Sequence, residues 1–545
     1  MAQQILIRNQ VPTKGLYTSA VADSLGPEMS PWCQNVRFRF GEVMKCPGRS
    51  AVLQTRAKVI MDFAQHTDVF GNRTIFALQA NALNDNDASP YNATTHLLGT
   101  PIALPPVSQL SRRFSWSQGE ERLFIARAST VSAIKATTPG VFSVEVLSSP
   151  QGLFVEYFNN RVFLMNLIGS GNRLQWSARA NYADWVQGLG RGGWLDLYDG
   201  VVEPITGGRV LNDRLVVYRN SSVTEIVATG DDTAPFLPQG RVFGLGCMCP
   251  WTLANSGQFH VFVGNDFNVH VWDGSRTTPI GTPIHNYLRQ ILDQGDNSNW
   301  MNMPFGTVFT AFKEYHLVIP KWQSTECVVL IYDYLRDTWT RDVFTSLRAL
   351  YEFWQTGLTG SPGYDGTGYP QVFPVLLASR DKDFFVIDER IDGDRLSRPA
   401  DGGIEMLVDT PDMYWQGLNG QNPPALLHNA TLERVMVATG WPRLPVSMSY
   451  LLEISIDRGQ TFPTSLIVTP RQDHWGFEFV DTNITSHVRR YRFRYPVESG
   501  AGRPSWRGYS EVYVPSGEFF PVERPVGTTM LLRGIGPELP PTGVE

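Results

Sequence analysis

Two cysteines one residue apart, Cys247 and Cys249 in the run GCMC, are the densest pair of soft metal ligands in the chain. Thiolates at that spacing could face a cation, but a structural zinc site needs four ligands, and no second Cys pair or His pair supplies the rest. Five cysteines in 545 residues cannot form a disulfide framework, and an odd number leaves one unpaired, so they read as buried strand thiols. His260 and His270 fall in adjacent strands of one predicted hairpin. With no third ligand they read as histidines satisfied by ordinary hydrogen bonds.

Cleavage of a glycosidic bond would need two carboxylates across a pocket, or a Tyr nucleophile beside an Arg cluster. Glu156, Asp213 and Asp273 qualify by residue type alone. Most acidic residues here stand in turn contexts, however, where their ordinary role is to bond the turn backbone. The segment SIDRGQTF, with Ser455, Asp457, Gly459 and Phe462, fits the pattern S-x-D-x-G-x-T-[WF], the Asp box of sialidases and other propeller glycosidases. In those enzymes the box is a hairpin turn set away from the chemistry, and it occurs once here, so it reads as a structural turn. There is no G-x-S-x-G elbow, P-loop, H-E-x-x-H or G-x-G-x-x-G after a strand. No catalytic, metal or cofactor site is therefore expected, and the chain is not expected to be an enzyme.

Arg490, Arg492 and Arg494 alternate with Tyr491, Phe493 and Tyr495. In a strand that spacing makes one face basic and the other aromatic. One reading is a solvated face over a packed one. The other is a subunit contact or a phosphate-facing stripe, because Arg pairs bidentately with carboxylate and phosphate.

The elements that must carry these residues are strands. Charged residues make up only 18% of the chain and aromatics 12%, with 49 Gly and 37 Pro as punctuation, a balance that favours many short strands joined by turns. Strand-turn-strand signals centre near Gly71, Gly119, Asn160, Asp213, Asn265, Glu314 and Asp381, roughly 48, 41, 53, 52, 49 and 67 residues apart. A lone blade of four strands cannot cover both its apolar faces, whereas radial stacking buries them between neighbours. The expected fold is mainly β: a propeller-like ring of about six or seven small antiparallel sheets over 51–430. Stacked β-sandwiches are the competing arrangement. Residues 1–50 are expected to form an N-terminal arm and first hairpin, 431–525 a C-terminal β-sandwich, and 526–545 an extended or disordered tail. PIHNYLRQIL places Ile284, Tyr287, Leu288, Ile291 and Leu292 on one face of a short helix after Pro283. GLTGSPGYDGTGYP, from Gly357 to Pro370, reads as an exposed loop that widens the last interval.

A formal charge of −6 gives no field that would concentrate polyanions, which disfavours tight non-specific nucleic-acid binding. No run approaches the roughly 18 apolar residues of a membrane span. The start, MAQQILIRNQ, lacks a signal-peptide pattern, so a soluble protein made in the cytoplasm is expected.

The opening KGLYTSAVADSLGPEMSPWCQNVRFRFGEVMKCPGRS resembles that of many phage virion proteins, carried here by Gly15, Pro31, Trp32, Asn35, Val36, Gly41, Pro47 and Gly48. RLQWSARANYADW, with Trp176, Ser177, Asp184 and Trp185, and the run from NDRLVVYRNSSVTEIVATGD to FHVFVGNDFNVHVWDG resemble the same family. It is that of the hub or nozzle proteins of short-tailed phages, also called packaged-DNA stabilisation proteins, and the resemblance covers about residues 10 to 300. The resemblance implies a structural tail component: six subunits in a ring below the portal and adaptor, with tail fibre or spike proteins as further neighbours. Such a ring would close the channel after packaging and conduct DNA on ejection without binding it tightly. It also implies a virion location, after assembly in the host cytoplasm. The alternative is a glycan-binding or glycan-cleaving phage tail protein with a propeller fold.

Overall fold

The computed structural model describes residues 5–515, apart from short breaks and the longer stretches 294–302, 357–371, 389–405, 415–429, 440–449, 469–476 and 496–504. The Gly-rich segment 357–370 and the tail 526–545 thus lie outside the described residues.

Seven antiparallel sheets of four or five strands follow one another along 59–104, 115–146, 152–196, 205–243, 254–279, 305–345 and 347–388. In all but the first and last, four consecutive strands lie in simple order, which tight turns make possible. Asn159 and Asn160, for example, both take positive φ (50° and 57°) between Gly152–Phe158 and Arg161–Leu167, the turn geometry whose twist suits a two-residue hairpin.

The middle strands of the blades do not alternate apolar with polar, because both their faces are buried. In Glu326–Asp333, Val328 and Leu330 enter one cluster with the fifth sheet, while Val329 and Ile331 enter another with the seventh. The same division runs right round the molecule, with one apolar cluster between each pair of neighbouring sheets. The last of these joins Ile60, Phe63 and Ile75 of the first sheet to Val375, Leu377 and Phe384 of the seventh. The sheets therefore close a ring, and the fold is a seven-bladed propeller.

Closure uses chain from before the first blade. Gly48–Arg49 and Gln54–Thr55 pair with Asp383–Asp388, so the seventh blade takes its outer strands from the N-terminal side. The preceding hairpin, Val36–Arg39 with Glu42–Lys45, joins a sheet with Ser505–Pro515, Ala430–Thr439 and Phe477–Ser486, and Ile5–Gln10 pairs with Ser505–Pro515 in that sheet. A second six-stranded sheet combines Cys33–Gln34, Met406–Asp409, Met413–Tyr414, Tyr450–Ser455, Thr464–Val468 and Val488–Tyr495. The two sheets enclose Val36, Val43, Leu432, Val435, Leu452, Tyr491 and Phe493 in one cluster.

The strands of these two packed sheets are not confined to the range 431–525 expected for a sandwich. The described residues between 5 and 50 supply strands to these two sheets and to the seventh blade, where a separate arm and hairpin had been expected. The sandwich also takes in 406–414, which the expected propeller range had included. The reason is that strand pairing is long-range, and a two-residue strand such as Cys33–Gln34 carries no periodic signal of its own.

The helix His285–Leu292 forms as expected, preceded by a 3₁₀ turn with Pro283 inside it. Ile284, Leu288 and Leu292 are buried in the cluster shared by the fifth blade, the sixth blade and the sandwich, with Tyr287 and Ile291 partly buried against it. Among the described residues, no helix is long and apolar enough to cross a membrane.

Candidate functional site

The innermost strand of every blade faces the propeller axis, and together they enclose a channel of about 540 Å³. Its wall includes Asp62, Gln65, Trp116, Glu156, Arg209, Asn255, Thr307 and Tyr351. The charged members interrupt apolar strands, as in VIMDFAQHT and GLFVEYF, because on an inner strand one side chain must turn toward the axis.

Two arginines on that wall tie blades together. Arg113, just before the second blade, donates from Nη1 to the carbonyl of Arg348 at 2.8 Å, and its guanidinium lies 3.9 Å from the Phe305 ring centre in the sixth blade. It also lies 3.5 Å from Asp62 of the first blade. Arg209 of the fourth blade donates to Glu156 of the third at 2.9 Å and to the carbonyl of Trp116 of the second at 3.2 Å. Burial pushes the Asp62 and Glu156 carboxyls up, with Arg113 and Arg209 respectively pulling them back. Side chains spanning from blade to blade make the channel a lined pocket, and its volume of about 540 Å³ is of the size that encloses a small molecule.

Of the acidic residues singled out in the sequence, only Glu156 reaches this channel. Asp213 is exposed beside the Asn212 turn. Asp273 caps its turn, with Oδ1 accepting from the backbone N–H groups of Ser275 and Arg276 at 2.8 and 2.9 Å, and these bonds hold its carboxyl at about 2.

The Asp box is a turn between Tyr450–Ser455 and Thr464–Val468. Asp457 accepts from the Thr461 backbone N–H at 2.9 Å and from the hydroxyls of Thr461 and Ser455, while Ser455 Oγ accepts from the Gly459 N–H at 2.8 Å. These hydrogen bonds lower the Asp457 carboxyl to about 2. The box lies in the sandwich, as its place in the chain suggested.

Its turn packs on the arginine stripe, for the Arg492 guanidinium stacks on the Phe462 ring at 3.9 Å. Each stripe residue also meets a carboxylate of its own sheet region: Arg490 with Asp412 at 2.8 Å, Arg492 with Asp409 at 2.8 and 3.0 Å, and Arg494 with Glu453 at 3.3 Å. The facing residues Tyr491, Phe493 and Tyr495 are buried, so the strand has the basic and aromatic faces its spacing implied. One register position away, Arg489 is buried against Glu511, which also accepts from the Tyr491 hydroxyl.

All five cysteines are buried free thiols. Burial pushes Cys247 up to about 12 and Cys249 higher still, so neither is a ready thiolate. His260 pairs across the hairpin with Trp272, and His270 with Phe262. His260 Nδ1 lies 2.9 Å from the Tyr218 hydroxyl, and His270 Nε2 lies 3.0 Å from Asp266. Among the described residues no group of three His, Cys, Asp or Glu could hold a metal.

Sequence reading missed Asp62, Arg113 and Arg209. The available signal was a single charge inside or beside an apolar inner strand, which acquires meaning only once seven such strands share an axis.

No family model matches the chain, and no curated protein matches it in sequence. Solved structures similar to it include a quinonprotein alcohol dehydrogenase-like protein from Bacteroides thetaiotaomicron (8% identity, TM-score 0.33, 50% of this chain and 63% of that one). Another is PorZ, a surface component of the type-IX secretion system of Porphyromonas gingivalis (10%, 0.32, 68% and 43%). A third is hydrazine synthase of Kuenenia stuttgartiensis (12%, 0.35, 62% and 97%). This chain spans less than two thirds of the first two, and the propeller assignment rests on its own seven sheets.

Proposed function

We propose that this protein is a structural subunit of a short phage tail, a hub or nozzle component that helps to retain the packaged genome and to conduct it on ejection. The observation that carries the reading is the use made of the phage-like opening. Gly15 takes φ +86° against the backbone of Trp339, where a Cβ would stand 2.6 Å from the Trp339 carbonyl oxygen. Trp32 sits under the Arg341 guanidinium at 4.5 Å and edge-on to Tyr287 at 5.8 Å. Asn35 takes φ 55° while its Oδ1 accepts from the Val343 N–H at 3.1 Å. Gly41 turns the hairpin at φ +74°, and Gly48 enters the seventh blade. The residues that carry the resemblance are those that bind propeller to sandwich, a mechanical role that suits a load-bearing virion part.

Because the propeller interior holds only about 540 Å³, the genome would pass between several copies around a common axis and not through the propeller itself. A net charge of −6 per chain suits a wall that does not grip its cargo. Six copies, an adaptor above and fibre or spike proteins alongside follow from the family resemblance, as does the absence of catalysis.

Imaging of assembled particles tests the proposal. The chain is expected as a six-fold layer on the tail axis, with a central passage wide enough for duplex DNA. A place on peripheral spikes, a three-fold assembly, or salt-sensitive submicromolar binding of the isolated chain to duplex DNA would overturn it.

A further inference from the structure

The lined channel is a formed pocket that the conduit role leaves unused. We propose that it binds a neutral saccharide of a few sugar residues, held between channel aromatics and the Arg209–Glu156 pair.

Size, charge and shape each narrow the ligand. A volume of about 540 Å³ falls within the range of pockets that enclose small ligands. The wall carries Arg73, Arg113 and Arg209 against Asp62, Glu156 and Glu352, so its formal charges cancel. An anion drawn to Arg209 would meet Glu156, whose carboxylate stands 2.9 Å from the same guanidinium. A cation would meet Arg113 in the same way beside Asp62.

Hydrogen-bonding capacity remains on this wall. Arg209 uses Nη1 for Glu156 and Trp116, and among the described residues its Nε and Nη2 have no protein partner. Neither atom is sealed from solvent. Gln65 accepts from the Tyr351 hydroxyl at 3.0 Å, while its Nε2 has only a 3.5 Å contact with Thr67 Oγ1. Hydroxyl groups, which donate and accept at one atom, match such a mixed wall.

Aromatic side chains supply the apolar surface. Trp116, Trp251 and Tyr351 are partly buried, packing on or between blade cores while lining the channel. The Trp116 and Tyr351 rings are tilted by 56° at 6.3 Å, so they form no parallel slot for a planar heterocycle. Angled rings instead suit the C–H faces of a puckered sugar. Neutrality, mixed donors and acceptors, and angled rings together favour a saccharide over a nucleotide or a phosphate.

The test uses the full chain with glucose, galactose, N-acetylglucosamine, maltose, lactose and cellobiose, read by saturation-transfer NMR and calorimetry. At least one is expected to bind saturably, and Trp116→Ala should weaken it tenfold or more. Gln65→Ala, which removes no core side chain, should also weaken binding while the protein stays folded with a modestly lowered melting temperature, since the Tyr351 hydroxyl loses its acceptor, and it carries the test if Trp116→Ala does not fold. No binding across the panel, undiminished binding in Gln65→Ala, or preference for sialic acid, inorganic phosphate or adenosine would overturn the proposal. Particle imaging reads the conduit role separately, so either idea can fail alone.

Discussion

Asp457 illustrates how a short motif can be chemical in type and structural in use. Its carboxylate is spent on one backbone N–H and two hydroxyls of its own turn, and hydrogen bonds to the charged form lower its pKa to about 2. Asp457→Ala is therefore expected to lower the melting temperature while leaving surviving protein able to assemble; an unchanged melting curve would contradict the turn role. His260 offers a sharper pH signature. Burial depresses it to about 3, so the folded state keeps the ring neutral while the unfolded chain protonates near the ordinary value of about 6.5. The unfolded state then binds more protons between those values, so stability is full above about pH 6.5. The contribution of this ring falls by about 1 kcal/mol per pH unit on acidification toward pH 3. Denaturant titrations at pH 7, 6, 5 and 4 should show this slope, flattened in His260→Gln. Both residues were visible in the sequence, but the bonds that decide their roles lie in turn geometry and in Tyr218 of a neighbouring blade.

At the scale of elements, the N-terminal hairpin is held to the sixth blade by a buried charge cluster. Arg37 pairs bidentately with Asp342 at 2.9 and 2.8 Å, and Arg39 reaches Glu314 at 2.7 Å, which also meets His316 at 2.8 Å. Burial works against the Glu314 charge, yet Arg37, His316 and Arg39 together hold its carboxyl well below the usual range. Removing one member leaves a buried charge uncompensated, so Arg37→Met should cost about 3–5 kcal/mol in urea unfolding. Adding Asp342→Leu should recover part of that loss, and a double mutant no better than the single would show that the pairing is not the cause. The blade hairpins were legible because six of the seven turns carry Asn, Asp or Gly, and each of the seven signals falls on a different blade. Their uneven spacing has a physical reason. In five blades the signal marks the first hairpin, but near Asn265 and Asp381 it marks the hairpin between the second and third strands. In the seventh blade, the link from Leu347–Thr356 to Val372–Arg380 contains the Gly-rich segment.

For the whole molecule, the consequence of one shared cluster is cooperativity. Leu16 and Phe38 from the opening, Val263 and Leu330 from the blades, Leu288 from the helix and Phe493 from the sandwich belong to the same apolar cluster. Neither unit can open without exposing part of the other's core. Calorimetry is therefore expected to show a single heat-absorption peak in place of two separable transitions, and two well-resolved peaks would refute the coupling.

What the sequence determined by itself was local: short strands, their turns, the helix after Pro283, the two-faced strand around Arg492, and blade-sized periodicity. These follow from side-chain periodicity and backbone preference over a few residues. Tertiary structure alone decided that the ring has seven blades, that residues before the first blade complete the last, and that the opening belongs to the sandwich. It also decided that Arg490, Arg492 and Arg494 meet Asp412, Asp409 and Glu453, and that Asp62, Glu156 and Arg209 converge on one axis. Each of those facts joins residues tens to hundreds of positions apart. Such pairings are selected by the burial of both faces of every sheet at once, a condition that no single segment can satisfy or display.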